Sequence, residues 1–588
     1  MSAPDSTTPP PFHKQTTFAP LLLDVPVDAA PRSPQASPAP KLGILAVVSI
    51  IFFNVSGGPL GSEQVISSVG PIIGLALLGV FALCFSVPQA MITAELSTAF
   101  PYNGGYSLWV QAAFGTFWGV QESYWSWCSG VVDTALYPVL LYSTAQHLFS
   151  GLGIDIGLEE EAACDSGGGG NGTRAADDEE DPTRNLWMCM FEPGSGCALE
   201  YVIKLGILVF FCLPNLVSSK VVGDFLTLLC VVALMPFVVL CAIGLPKMRV
   251  SNLVRKPRQY DWGTCLSTLY WNMSGFDSAS TFAGEVEKPG STIPRALFVA
   301  VAMVGLATAI PLLIAAAADP GWACWQDGSL VAAAMVVGGS WMGVWILATS
   351  TLSNWGLFAS ELLEDSYQLL GMAEMGLAPR VFASVSPRTG TPINAILFQF
   401  VIIALLISLD FNSIMCIDNF FSAAQGVLEF AAIVRLRIKR PEMARPYKIP
   451  LSTAGLVLFL IIPICWSLVI CYVTVTDSVQ SAATIGIGLV LGLILYFPFL
   501  SWDTRTLGFA RLTQQASLVD STTHRGITHS PLFHSPLFGP LLNGSSPRLK
   551  PTDPTLQGTS TSSDRDTHDD TMTDYVLEPG PEETPTRV

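Results

Sequence analysis

The stretch NVSGGPLGSE, residues 54–63, interrupts an apolar run that begins at Leu42. A second stretch, NMSGFDSAS at 272–280, interrupts another apolar run in the same way. Both stretches begin with the pattern Asn-x-Ser-Gly, and their first residues lie 218 positions apart. Two matching interruptions at this spacing predict a chain built from two related halves.

The composition is that of a membrane protein. The chain has 588 residues, of which 50% are hydrophobic and 13% charged, with a mean hydropathy of +0.48. Soluble domains carry about 25% charged residues. Between Lys41 and Leu500 there are about twelve apolar stretches near the roughly 20 residues that a spanning helix needs. Barrel strands would alternate over about 10 residues, so we predict an all-α polytopic membrane protein.

The predicted spans, of which the first and sixth are broken, are 42–67, 71–97, 117–148, 199–217, 222–245, 262–284, 295–318, 331–360, 392–409, 412–434, 452–474 and 479–500.

The two ends and one loop differ from this transmembrane core at 41–500. Residues 1–40 and 501–588 lack an apolar run of spanning length, so both tails are predicted to be disordered. The C-terminal tail could hold a docking motif for a cytoplasmic adaptor. The loop 149–198 is acidic and contains the glycosylation sequon Asn171-Gly-Thr, which favours an extracellular position.

Charge predicts the topology. The connection RLRIKRPEMARPYK at 435–448 carries six basic residues and is therefore predicted to be cytoplasmic. Counting spans from it places both termini in the cytoplasm, with the plasma membrane as the expected location. One segment conflicts with this scheme, because KMRVSNLVRKPR at 247–258 has five basic residues yet falls outside.

Motifs of other protein classes are missing from the sequence. There is no CxxC pair, no Cys/His cluster and no Walker A pattern. An enzyme is therefore the least expected class. No cofactor, metal or nucleic-acid partner is predicted.

The interruptions predict a binding site at the middle of the membrane. Unpaired backbone amides in hydrocarbon cost several kcal/mol, so a broken helix is kept where the freed groups bind something. Broken helices at matching positions in two halves mark the substrate site of transporters. The first break offers the backbone of Ser56, Gly57 and Gly58. The alternative is a kink that only serves packing.

The second break contains an acid. A charged residue at this depth costs about 3 kcal/mol, so Asp277 is a functional candidate by default. Its carboxylate could pair with a substrate ammonium or exchange a proton. The aromatic faces of Trp271 and Phe276 could hold a cation. The structural alternative, in which Asp277 pairs with a basic residue such as Lys204, stays open.

The third span carries further acids. Glu122 and Asp133 are separated by about three helical turns and face one side, which Tyr137 joins one turn later. Glu63 follows the first break and is expected to face an external vestibule. Since no sodium-binding constellation is evident, H⁺ is the expected coupling ion. Its candidate carriers are Glu122, Asp133 and Asp277.

Six segments resemble the polyamine–proton symporters of plants and protozoan parasites, within the amino acid–polyamine–organocation superfamily. The resemblance covers about 42–500 and implies a five-plus-five inverted repeat with two additional helices. The segments are FNVSGGPLGSEQVISSVGP, VPQAMITAELSTAFPYNGGYSLWVQAAFGTFWGVQESYWSW, SGVVDTALYPVL, FDSASTFAGEVEKPGSTIPRAL, SNWGLFASELLEDSYQLLGMAEMGLAP and LEFAAIVRLRIKRPEMARPYKIPL.

The resemblance also implies residue roles. The backbone at 56–58 would contact substrate, Trp271 would gate the site, and Glu122 would be the acid of the third span. Phe276 and Asp277 would contact a substrate amine. Pro59 replaces an amide donor and so disfavours substrates with a carboxylate. The NMSGF stretch and the acidic outer loop depart from the plant pattern.

These observations predict a proton-coupled transporter that imports polyamines such as putrescine or spermidine by alternating access. The alternative is a proton-coupled transporter of cationic or neutral amino acids, in which the first-break amides bind a carboxylate. A remote alternative is a non-transporting sensor or scaffold that signals through the tail at 501–588. In every case the lipid bilayer and a small amine or amino acid are the expected partners.

Overall fold

A computed structural model describes residues 41–151, 197–408 and 411–501. Regular structure in these ranges is helical, apart from one isolated bridge between Leu42 and Val286. Asn171, both predicted tails beyond Ser501 and before Lys41, and almost all of the loop 149–198 lie outside the described residues.

The first half begins with a broken helix and ends with a long apolar one. Its helices are α1 (Ile44–Val55), α2 (Glu63–Val69), α3 (Pro71–Phe81), α4 (Val87–Ala99), α5 (Gly105–Phe114), α6 (Thr116–Gly151), α7 (Cys197–Cys212) and α8 (Ser219–Gly244). A π-helical turn at Ala82–Ser86 joins α3 to α4 as one span, Pro71–Ala99. Single π turns of this kind are found inside longer helices.

The second half also begins with a broken helix, after the short α9 (Val250–Leu253). Helix α10 (Trp262–Met273) is followed by 3₁₀ turns at Phe276–Ser280 and Ala283–Glu285. The remaining helices are α11 (Pro289–Ala318), α12 (Ser329–Gly338), α13 (Ser340–Glu374), α14 (Ile393–Leu406), α15 (Phe411–Lys439), α16 (Thr453–Asp477) and α17 (Val479–Ser501).

The predicted spans agree with these helices except in one place. The prediction of a single span at 331–360 was wrong, because α12 ends at Gly338 and α13 starts at Ser340. Gly339 between them has φ +85°, a conformation that favours glycine and ends the helix. Helix α13 then continues to Glu374, well past the end of the apolar run.

Two long helices are set apart by their polarity. Within the described ranges, seven helices are long and apolar enough to cross a membrane, but α6 and α13 are not among them. These two helices have 36 and 35 residues and would each extend about 50 Å. They pack against each other, and α6 also packs against α15. Acids on these helices, such as Glu122 on α6 and Glu364 on α13, are therefore buried inside the bundle.

The two breaks touch each other. A side chain at Gly275 would lie 3.1 Å from the carbonyl oxygen of Asn54. The Asn272 side chain donates a 2.9 Å hydrogen bond to the carbonyl of Gly61. The two halves of the chain thus meet at their interruptions, where a site can form between them.

The basic segment 247–258 conflicts with the charge-based topology. Two of its basic side chains make hydrogen bonds to backbone carbonyls. Lys247 donates through Nζ to the carbonyl of Val337 at 2.5 Å, and Arg255 donates through Nη1 to that of Pro320 at 2.9 Å. Basic side chains are favourable next to carbonyls near helix ends. These contacts account for two of the five basic residues without reference to topology.

Candidate functional site

The first break is closed by its own hydrogen bonds. The amides of Ser56 and Gly57 both donate to the carbonyl of Phe52, at 3.1 and 3.0 Å. The Ser56 hydroxyl donates to the carbonyl of Gly58, and the Ser353 hydroxyl donates to that of Gly57, each at 2.7 Å. Two of the three amides that could receive a substrate carboxylate are therefore already used.

The second break places Asp277 in the interior. Gly275 has φ +97° and turns the chain after α10. The fully buried Phe276 donates its amide to Gln89 Oε1 at 3.3 Å. Asp277 is 3% exposed, and Gln425 Nε2 donates to its Oδ2 at 3.3 Å. The carboxyl group thus lies inside the bundle with a neutral donor.

Asp133, Tyr137 and Trp271 form a connected group near the breaks. Trp271 Nε1 donates to Asp133 Oδ1 at 2.9 Å, and the Tyr137 hydroxyl donates to Oδ2 at 2.6 Å. With Asn54 and Ser56 they line a cavity of about 20 Å³, the size of a single water site. Of the predicted site residues, the structure therefore brings four together at the first break, namely Ser56, Asp133, Tyr137 and Trp271.

The predicted acids Glu122, Asp133 and Asp277 belong to a larger group, which we call the carboxyl cluster. Seven of its members are at most 7% exposed, and Asp133 is partly buried. The five members that the sequence analysis missed are Glu361, Glu364, Asp365, Asp418 and Glu429. All eight lie on α6, α13, α15 and the second break.

Some members of the carboxyl cluster accept hydrogen bonds from neutral groups. Glu364 accepts from Asn54 Nδ2 at 2.8 Å and from the Tyr106 hydroxyl at 3.1 Å. Asp365 accepts from Gln399 Nε2 at 2.6 Å, and Asp418 accepts from the Ser129 hydroxyl. These donors position the carboxyl groups without neutralising their charge.

Other members lack such donors. Among the described residues, neither oxygen of Glu122 or Glu429 makes a hydrogen bond of ordinary geometry, although both side chains are at most 1% exposed. The carboxyl groups of Asp277 and Glu429 lie within hydrogen-bonding reach of each other. Two carboxylates cannot bond unless one carries a proton, so this pair is suited to holding one.

Basic residues are engaged elsewhere. In the described ranges, Lys204 pairs with Glu200 at 2.5 Å, and Arg437 and Arg445 both pair with Glu95. The alternative in which Asp277 pairs with Lys204 is therefore wrong. The reason is local, since Glu200 lies one turn before Lys204 on the same helix and reaches it first.

Glu63 lies apart from the carboxyl cluster. It is fully buried, and its Oε1 accepts from the amide of Leu330 at 3.3 Å. Its close acidic neighbour is Asp327, in the segment before α12. Glu63 was expected to face the external vestibule, but its side chain is fully buried and is hydrogen-bonded by the amide of Leu330 at the start of α12.

The missed acids have a signal in the sequence. Asp418, Ser422, Gln425 and Glu429 recur at intervals of three or four residues, which places them on one face of α15. Glu361, Glu364 and Gln368 do the same on α13. Polar residues at a helical period inside an apolar run could have identified both faces.

A larger cavity lies at the other end of α13. It has a volume of about 240 Å³, and its lining includes Asn103, Leu108, Gly371 and Glu374. Gly371 follows Gln368, which accepts from the Tyr106 hydroxyl at 3.2 Å. The cavity wall at Gly371 therefore lies about one turn of α13 from the Tyr106 contact to Gln368.

The chemistry of the site follows from its charge. Eight acids share one region, and the described ion pairs include none of them. Ionising them all would bury several like charges, which is very costly. Protons or cationic groups would relieve that cost. No group of His, Cys, Asp and Glu in the described residues is arranged to hold a metal ion.

Comparison with known proteins agrees with this geometry. The amino acid permease family profile matches residues 42–497, more than half of the chain. The chain belongs to this family. It is similar to a probable polyamine transporter of Arabidopsis thaliana, with 38% identity over 475 residues, which cover 80% of this chain and 89% of that protein.

Two further relatives differ in what their names state. Polyamine transporter PUT1 of Oryza sativa subsp. japonica is 37% identical over 473 residues, covering 80% of this chain and 81% of the relative. A large neutral amino acids transporter small subunit of Homo sapiens is 22% identical, covering 82% and 84%. The predicted family resemblance and all-α polytopic fold are confirmed.

Proposed function

We propose that this protein is a secondary active transporter that imports polyamines such as putrescine and spermidine together with protons. The observation that carries the proposal is the carboxyl cluster, eight acids around two broken helices with no basic partner in the described ion pairs. Polyamines are flexible cations without a carboxylate, so they complement such a site. The names of the plant relatives agree with this substrate class.

Asp277 is the proposed main contact for a substrate ammonium. It lies at the second break, where Gln425 Nε2 and the backbone amides of residues 277 and 278 are neutral donors to its carboxyl group. Glu122 and Glu429 are close enough to interact electrostatically with it and provide further acidic contacts. Phe276 lies beside Asp277 and is fully buried. A desolvated ammonium here would gain strong charge-assisted hydrogen bonds.

The polyamine proposal is favoured over amino acid transport by the first break. An amino acid carboxylate would need free amides at 56–58, yet Ser56 and Gly57 donate to Phe52. Pro59 has no amide hydrogen. Gly58 alone of these residues has its amide without such a bond among the described contacts.

Proton coupling rests on carboxyl groups that can change charge. Glu122, Asp133 and Asp277 are the proposed carriers, and Glu429 would share a proton with Asp277. A proton on one acid would reduce repulsion in the cluster while another binds the ammonium. Substrate and proton binding would thereby depend on each other.

Alternating access would involve the contact between Trp271 and Asp133. The cavity beside this contact, about 20 Å³, is smaller than a diamine, so the Trp271 hydrogen bond would break to admit substrate. The larger cavity next to Gly371 would form part of the route at the other end. With both termini in the cytoplasm, that end faces the cytoplasm, and the plasma membrane is the proposed location.

The proposal is tested with purified protein in proteoliposomes. Uptake of radiolabelled putrescine and spermidine is measured with and without an inward proton gradient. The variants are Asp277→Asn and, as a control, Glu442→Gln, an exposed acid in the basic loop. We expect gradient-dependent uptake that the first variant loses and the control keeps.

Two results would contradict the proposal. Uptake of leucine or arginine without uptake of either polyamine would support the amino acid alternative. Binding without flux in any vesicle would support a sensor.

A further inference from the structure

The carboxyl cluster is divided along the length of α6 and α15. Glu122 and Asp133 lie eleven residues apart on α6, and Asp418 and Glu429 lie eleven residues apart on α15. At 1.5 Å per residue, each pair is separated by about 16 Å along its helix. Each helix therefore carries one acid at each of two levels.

The two helices pair these acids in antiparallel order. The Ser129 hydroxyl, one turn from Asp133, donates to Asp418. At the other end, Glu429 interacts electrostatically with Glu122 and Asp277. We call Glu122, Asp277 and Glu429 the first level, and Asp133, Glu361 and Asp418 the second level.

Each level contains an acid that is buried and has no hydrogen bond. In the first level neither oxygen of Glu122 makes a hydrogen bond of ordinary geometry among the described residues, and Glu429 has the Asp277 carboxyl group within reach. In the second level Glu361 is 5% exposed, and none of the hydrogen bonds described for this chain reaches its carboxyl group. It interacts electrostatically with Asp133 and Asp418. A ligand can therefore find an unoccupied acceptor at both levels.

Glu364 lies between the levels. It interacts electrostatically with Asp277 of the first level and Asp133 of the second. Asn54 donates to Glu364 through Nδ2 and has an unpaired Oδ1, and it also lines the cavity beside Asp133. Glu364 and Asn54 therefore form a polar connection between the two levels.

The length of an amine determines whether its two terminal nitrogens can reach both levels. An extended chain advances about 1.2 Å per bond, as it does in a polypeptide. By the same increment, the terminal nitrogens of spermidine are about 11 Å apart and those of putrescine about 6 Å. Allowing about 3 Å for each ammonium–carboxylate contact, levels about 16 Å apart fit ends about 10 Å apart.

We propose that the two levels bind the two terminal ammonium groups of one extended triamine, with Glu364 facing its central nitrogen. This inference rests on the proposed function and narrows its substrate class. Putrescine would reach one level only, so the protein would bind spermidine more tightly than putrescine.

The test is equilibrium binding to the purified full-length protein in nanodiscs, by competition against radiolabelled spermidine. The competitors are spermidine, putrescine and octane-1,8-diamine, which has spermidine's length without its central nitrogen. We expect spermidine to bind at least tenfold more tightly than putrescine. Octane-1,8-diamine should fall between them.

Two variants test which acids cause the preference for spermidine. Glu361→Gln keeps the side-chain shape and breaks no described hydrogen bond. It should lower the ratio of spermidine to putrescine affinity by about tenfold. Glu364→Gln should narrow the difference between spermidine and octane-1,8-diamine. The control Glu442→Gln should leave both ratios unchanged.

The outcomes separate this inference from the proposed function. Equal affinities of the wild-type protein for spermidine and putrescine would overturn the two-level inference and leave polyamine transport standing. An equal loss for both amines in Glu361→Gln would also overturn it. If no amine binds or is taken up, the proposed function itself fails.

Discussion

Glu95 and Glu122 are both fully buried glutamates, and their surroundings differ completely. Glu95 accepts from Arg437 Nε at 2.9 Å, from the amide of Ile449 at 2.8 Å, and pairs with Arg445 at 3.2 Å. Neither oxygen of Glu122 makes a hydrogen bond of ordinary geometry among the described residues, and its nearest donors are the hydroxyls of Ser107 and Ser126. The first is held as a fixed charge in a structural network, and the second is free to gain a proton or a cationic partner.

The comparison separates acids that maintain the fold from acids that can perform transport. Removing a partner from a buried ion pair leaves an uncompensated charge and is strongly destabilising. Replacing an acid that has no ion partner deprives no other residue of one. The same Glu→Gln change should therefore have opposite consequences at the two positions.

The largest effect is expected for Glu95→Gln. This change leaves the buried Arg437 and the partly buried Arg445 facing a neutral amide, which should lower the free energy of unfolding by about 3–5 kcal/mol. The loss of stability is measured by heating the protein in detergent and following the monodisperse peak in size-exclusion chromatography. If the Glu95→Gln variant is as stable as the Glu442→Gln control, Glu95 does not have the structural role assigned to it.

The next effect concerns function at Glu122. In Glu122→Gln the free energy of unfolding should change by less than about 1 kcal/mol, since no ion pair and no hydrogen bond of ordinary geometry is lost. Polyamine uptake under a proton gradient should fall more than tenfold. Parallel stability and uptake assays check both expectations. If uptake by this variant is normal, proton transfer and substrate binding depend on other acids of the cluster.

A smaller effect is expected at the glycines that face these acids. A side chain at Gly130 would lie 2.0 Å from Asp365 Oδ1, so Gly130→Ala should destabilise the protein by about 1–3 kcal/mol. The control is Gly305→Ala on α11, where nothing lies within 4 Å. That change should stabilise the protein by up to about 1 kcal/mol. Thermal unfolding of the two variants measures the difference, and equal midpoints would mean that Asp365 can move away.

The smallest effect belongs to Asp327, an acid outside the spans. Burial raises the pKa of Asp327 from 3.8 to about 6, and Gln64 donates to its carboxylate at 3.0 Å. The folded protein then binds a proton more tightly than the unfolded chain. The contribution of Asp327 to stability should therefore fall by about 1 kcal/mol as the pH rises from about 4 to about 6, and it should stay constant above about pH 6 at this partly exposed site.

Asp327→Asn should remove the part of the pH dependence that lies between about pH 4 and 6. Unfolding midpoints between pH 4 and 8 test the expectation, with Glu63 as the neighbouring acid that also titrates. A variant with the same pH profile as the wild-type protein would assign the dependence to Glu63.

The two breaks show how far local sequence carries a prediction. Each contains glycine and polar residues inside an apolar run, and such a local pattern is enough to predict where a spanning helix stops. The shared Asn-x-Ser-Gly pattern does not predict what each asparagine contacts. Asn54 donates to Glu364, while Asn272 donates to the carbonyl of Gly61.

The sequence by itself determined the helical spans apart from the interruption at Gly339, the two breaks and the acids at Glu122, Asp133 and Asp277, because helix formation and membrane insertion depend on residues close in the chain. Tertiary structure decided which acids are neutralised. Glu95 meets Arg437, 342 residues later, and Glu364 meets Asn54, 310 residues earlier. Such partners are chosen by how helices pack, and their charges then determine whether a buried acid holds the fold together or remains available for a proton and a cation.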